Sequence, residues 1–265
     1  MLGKLLKYEM RASARYFVPL FIAVLVMALL NGVLSLSFNH PTEANWIYGL
    51  TIALTVLLLI ALWVMYLVVI VIRFYKNLLG DEGYLMFTLP VSIHQLLWSK
   101  LFGAVLWGLA CIVTSALAIL FMTISGIDFS SIREALNELL TVVDGGTLIL
   151  LSGEYLLILL ASAICAILLA YLAMSIGQLA NESRFAASFA AYIGLSIVVQ
   201  VLATILTAAL YNWGVNLEAV PSWFAQLNGV DGIITVLHIF FGASLALIAL
   251  NSAVYYAISY WLLNR

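Results

Sequence analysis

The chain has 265 residues, of which 66% are hydrophobic and only 8% charged, with a formal net charge of −2 and a mean hydropathy of +1.18. Soluble domains carry about 25% charged residues, so this sequence lacks the polar surface to fold as a globule in water. The near-neutral charge, with no basic block, excludes a nucleic-acid partner, and the composition predicts an all-α integral membrane protein embedded in a lipid bilayer.

Residues 2–16 come first. Lys4, Lys7, Arg11 and Arg15 follow one another at spacings of three, four and four, a basic stripe, while Leu2, Leu5, Leu6 and Met10 occupy another side. Such an amphipathic helix, joined to a span, is expected to lie in the membrane interface near anionic headgroups. The plainer reading is an orientation signal, and the two are compatible. Six apolar runs follow, at residues 17–37, 47–72, 101–124, 155–178, 187–211 and 233–262, with no Asp, Glu, Lys or Arg at their centres. About 20 apolar residues cross a hydrocarbon core as a helix, which satisfies its own backbone hydrogen bonds. The first run is read as a span rather than a cleaved leader, being too long for an h-region and lacking an A-x-A-like site after Leu36.

Residues 73–100 interrupt the apolar pattern. Gly80-Asp81-Glu82-Gly83 is a turn signal. Pro90 ends whatever precedes it, and Ser92-Ile93-His94-Gln95 fits a capping box opening a helix into the third span. Tyr84, Leu85, Met86, Phe87 and Leu89 make the stretch too apolar for an ordinary solvated loop, so it calls for a partner or the interface. On the opposite face, Ser131-Ile132-Arg133-Glu134 is a second capping box. The apolar residues that follow it recur at helical spacing and predict a short amphipathic surface helix. Between the fifth and sixth runs, Trp213, Trp223 and Phe224 around Pro221 predict a surface-lying or re-entrant element at the aromatic belt. The apolar runs 147–180 and 232–263 are longer than one span requires, so those helices either protrude or bend.

Charge orients the chain. Lys4, Lys7, Arg11, Arg15, Arg73, Lys76, Lys100, Arg184 and Arg265 fall on one face and only Arg133 on the other, which predicts that both termini are cytoplasmic.

No residue pattern for catalysis, cofactor binding or metal binding is present. G-x-x-x-x-G-K-[ST], H-E-x-x-H and G-x-S-x-G are all missing, so an ATP site would belong to another chain. Cys111 and Cys165 lie inside apolar runs and read as small buried thiols. Asn31, Gln200 and His238 are candidates for lining a substrate path, weighed against ordinary interhelical hydrogen bonding. Glu154 reads as an interface residue at the outer end of the fourth span. Ala186, Ala190 and Gly194, with Ala187 and Ala191, form small-residue faces that allow close helix approach, within the bundle or at a dimer seam.

Three segments resemble the small bacterial ABC-2-type transporter permeases. They are GKLLKYEMRASARYFVPL (residues 3–20), KNLLGDEGYLMFTLPVSIHQLLWSKL (76–101) and SIGQLANESRFAASFAAY (175–192), with DEGYLMFTLP the most specific part. The resemblance implies a six-helix, type V exporter-like bundle with an N-terminal interfacial helix, acting as the transmembrane subunit of an ABC exporter in a bacterial plasma membrane. It implies a second permease subunit, identical or paralogous, and two cytoplasmic ATPase subunits that bind ATP and magnesium. It places Asp81, Glu82, Gly83 and Tyr84 in a coupling helix against the ATPase, and Glu182 and Arg184 in a second, smaller contact. By the same analogy the cargo is amphipathic or lipid-like, such as an antimicrobial peptide. Two other functions stay open from the residues: a membrane-embedded enzyme acting on lipid or peptide, with His238 its first candidate, and a non-transporting membrane sensor or immunity protein.

Overall fold

The computed structural model describes residues 2–37, 46–75, 92–124, 129–180, 184–216 and 230–264, and these form helices with no strand. In chain order they are α1 (Leu2–Ser37), α2 (Trp46–Phe74), α3 (Ile93–Thr123), α4 (Phe129–Val142), α5 (Gly145–Gly177), α6 (Arg184–Asn216) and α7 (Val230–Leu263). All except α4 are long and apolar enough to cross a membrane, one for each of the six apolar runs.

The helices outrun the apolar stretches that announce them. Ser92 caps α3 by accepting a hydrogen bond from the Gln95 amide at 3.4 Å, so the helix starts well before residue 101. Asp144 caps α5 through the Gly146 amide at 2.9 Å, ten residues ahead of the run at 155. Helices α5 and α7 run for 33 and 34 residues, lengths of about 50 Å against a hydrocarbon core of roughly 30 Å. The amphipathic helix begins at Phe129, placing the Ser131 capping box inside its first turn.

Residues 2–16 and 17–37, expected as an interfacial helix followed by a span, belong to a single helix of 36 residues that continues through Pro19. Proline there leaves one carbonyl without its helical partner, and no glycine or turn signal lies nearby to end the helix. Lys4, Lys7, Arg11 and Arg15 are exposed, as the stripe requires, while Leu5, Leu6 and Met10 are half-buried. A Cβ at Gly103 of α3 would stand 3.9 Å from Glu9 and 4.0 Å from Leu6, so this side of α1 is turned towards α3.

The chain forms two compact units, Met1–Ser130 and Ser131–Arg265. In the first, α1 packs along α3 and α2. Its core gathers Phe17, Leu62, Tyr66, Val69, Trp107 and Cys111, with the rings of Phe17 and Trp107 stacked at 4.6 Å. Tyr66 donates to the Ala104 carbonyl at 3.1 Å. Its hydroxyl lies 2.6 Å from where a Cβ at Gly108 would stand, so the Tyr66 ring packs over a position of α3 that has no side chain. Further along α1, Val24 and Ala28 pack on Ala118. In the second unit, α5 packs against α6 and α7. Helices α6 and α7 leave most of their large apolar side chains exposed, among them Ile197, Val201, Phe240 and Leu250. Surfaces of that kind suit lipid or another subunit.

Candidate functional site

Among the described residues of the first unit, one charge cluster joins three helices through a single carboxylate. Glu9 of α1 faces Arg73, in the last turn of α2, with Oε2 2.9 Å from a guanidinium nitrogen. The same nitrogen donates to the Glu9 main-chain carbonyl at 2.7 Å and to Ser13 Oγ at 2.6 Å. Lys100, eight residues into α3, donates from Nζ to the other carboxylate oxygen of Glu9. The side chains of Lys100, Glu9 and Arg73 are only 4%, 12% and 20% exposed. Charges withdrawn from water to this extent must be paired and hydrogen-bonded to be tolerated. Arg73 also gains from the negative end of α2, where unsatisfied carbonyls favour a cation.

Position gives the cluster its interest. Arg73 and Lys100 stand at the two ends of residues 73–100, so one carboxylate ties both ends of that segment to α1. The four coupling candidates Asp81, Glu82, Gly83 and Tyr84 fall on residues 76–91, outside the described residues, as does Glu182. Arg184 is described: it opens α6, is exposed, and its carbonyl accepts from Ser188 Oγ at 2.8 Å. Beside it, a Cβ at Gly177 would stand 2.0 Å from Ser188 Oγ and 2.6 Å from its Cα, so α5 and α6 cross in direct backbone contact.

The three path candidates sit in different settings. Asn31 is fully buried between α1 and α2. Its Nδ2 donates to the Met27 carbonyl at 3.0 Å, the Thr51 carbonyl at 3.1 Å and Thr55 Oγ1 at 2.5 Å, which makes it an interhelical hydrogen-bond hub. Gln200 is exposed on α6, and its carbonyl accepts from Thr204. His238 is paired with a carboxylate. Its Nδ1 lies 2.8 Å from both carboxylate oxygens of Glu154, joining α7 to α5. Glu154 is therefore a partner of that ring rather than a lone interface residue, and both side chains stay about one-third exposed. The segment between the fifth and sixth spans falls largely on 217–229, outside the described residues. Among the described residues no group of three or more His, Cys, Asp or Glu is placed to hold a metal ion.

Glu9 is the residue that sequence reasoning missed, and a signal for it exists. At about 100° per residue, Glu9 lies diametrically across α1 from the basic stripe, among Leu5, Leu6 and Met10. A carboxylate on the apolar side of a helix demands partners. Comparison of the chain with protein-family models, with curated proteins and with solved structures finds no match.

Proposed function

We propose that this chain is the transmembrane permease subunit of an ATP-driven ABC transporter that exports an amphipathic or lipid-like substrate, docking its ATPase on residues 73–100. The reading rests on the DEGYLMFTLP segment, which lies between two spans and resembles the coupling segment of ABC-2-type permeases. The Glu9 cluster supports it physically. A docking surface passes motion to a helix bundle only if its roots are stiff, and Arg73 and Lys100 are both held on Glu9. Asp81 and Glu82 supply the negative charge of the contact and Tyr84 its aromatic anchor, with Glu182 and Arg184 at a smaller second contact.

In this reading two copies of the ATPase carry ATP and magnesium, and a second permease subunit, identical or paralogous, completes the pathway in a bacterial plasma membrane. Both termini face the cytoplasm. The exposed Lys4, Lys7, Arg11 and Arg15 then lie on the cytoplasmic extension of α1, with Arg15 and Arg11 nearest the inner headgroups. ATP-driven closure of the motor pulls on residues 73–100 and re-orients the bundle, exposing the cargo alternately to each side.

Affinity purification of the full chain from its native membranes is expected to recover a P-loop ATPase, and the D81K/E82K variant to insert normally yet lose it. Intact chain with no ATPase, or full retention by D81K/E82K, would count against the assignment.

A further inference from the structure

We propose that α4 is a membrane-surface helix that inserts its apolar face into the acyl–headgroup boundary, on the membrane face opposite the N-terminus, without needing anionic lipid. The inference rests on the six long helices being membrane spans.

Two observations place α4 at a membrane surface. Residues 124–128 separate it from α3, and only Val143 and Asp144 separate it from α5. At no more than about 3.6 Å per residue, neither connection lets α4 leave the ends of the spans it joins. The junction with α5 is also stiff. The Val143 amide donates to the Leu139 carbonyl at 2.8 Å and the Leu148 amide to the Asp144 carbonyl at 3.1 Å. Asp144 caps the new helix through the Gly146 amide, and Leu140 closes over Gly145, 3.6 Å from where its Cβ would be.

The helix has two chemically distinct sides. Ile132, Leu136, Leu139, Leu140 and Val142 fall on one, and all are between 47% and 56% exposed, so nothing among the described residues covers that face. Arg133, Glu134, Asn137 and Glu138 fall on the other. Fourteen residues give a rod about 21 Å long, enough to lie flat with its apolar side buried about 5–10 Å into the interface. Charge then decides what kind of surface fits. One arginine against two glutamates offers no attraction to anionic headgroups, so apolar insertion alone must hold α4. In this it differs from the basic stripe near the N-terminus.

The test uses the full chain in a C111A/C165A background, with an environment-sensitive fluorophore attached at L139C, N137C or L157C. Leu157 is an exposed side chain of α5 inside the apolar run 155–178 and serves as the in-span control. In phosphatidylcholine vesicles, the L139C label is expected to be blue-shifted and quenched by brominated acyl chains, and the N137C label to stay water-like. Adding phosphatidylglycerol or raising the salt should change neither. A water-like L139C label beside a quenched L157C label would overturn the proposal alone. A water-like L157C label would overturn the span reading and the proposal with it. An L139C label shielded from brominated lipid, with L139C cross-linking between copies, would assign the face to a second copy of the chain and also overturn it.

Discussion

Glu9 shares its helix face with Ser13 and Phe17, one and two turns further on, and all three point into the first unit. That face can be read from the spacing of α1, but the partners cannot, because Arg73 and Lys100 lie 64 and 91 residues away. The same limit explains His238, whose carboxylate partner is 84 residues distant. Periodicity tells which side of a helix is apolar, not which helix comes to meet it. Removing Glu9 would leave two cations facing each other in a desolvated pocket. Loss of one partner from such a buried pair costs about 3–5 kcal/mol, so E9A is expected to lower the melting temperature in detergent by on the order of 10 °C. The E9A/K100M double variant should recover part of that loss, because it takes away one of the stranded charges. A loss in E9A/K100M equal to the sum of the losses in E9A and K100M alone would mean that the cluster carries no coupling.

Helix α5 contains a comparison between two glycines. Gly153 has open space where a Cβ would go, whereas Gly177 abuts the backbone of Ser188. G153A should therefore be neutral or stabilising by up to about 1 kcal/mol, since alanine relieves the entropic cost of glycine in a helix. G177A should destabilise, because α5 and α6 must separate to admit the methyl group; thermal unfolding of the two variants side by side distinguishes these signs. At this scale much was legible. Every apolar run corresponds to a helix, and the Ser92 cap was readable in the SIHQ pattern. Helix ends were harder, because an apolar run marks what faces lipid while a cap marks where the backbone turns. That is why α1 joins two segments that hydropathy alone divides.

The whole molecule comprises two compact units, and α6 and α7 in the second keep much of their apolar surface open. Hydropathy made the membrane class and the six helices legible, because spanning lipid imposes a composition that few soluble chains share. The proposed function rests on one short segment between two spans, because cargo recognition spread over weakly polar side chains has no compact motif. The central proposal is that the segment 73–100 docks an ATPase. It is tested most directly by placing p-benzoylphenylalanine at Tyr84 and, separately, at Glu134 on α4, then irradiating native membranes. The expected result is an adduct between the Tyr84-substituted chain and a P-loop ATPase, with no such adduct from Glu134. No ATPase adduct from Tyr84 in an intact, membrane-inserted chain, or equal adducts from both positions, would contradict it.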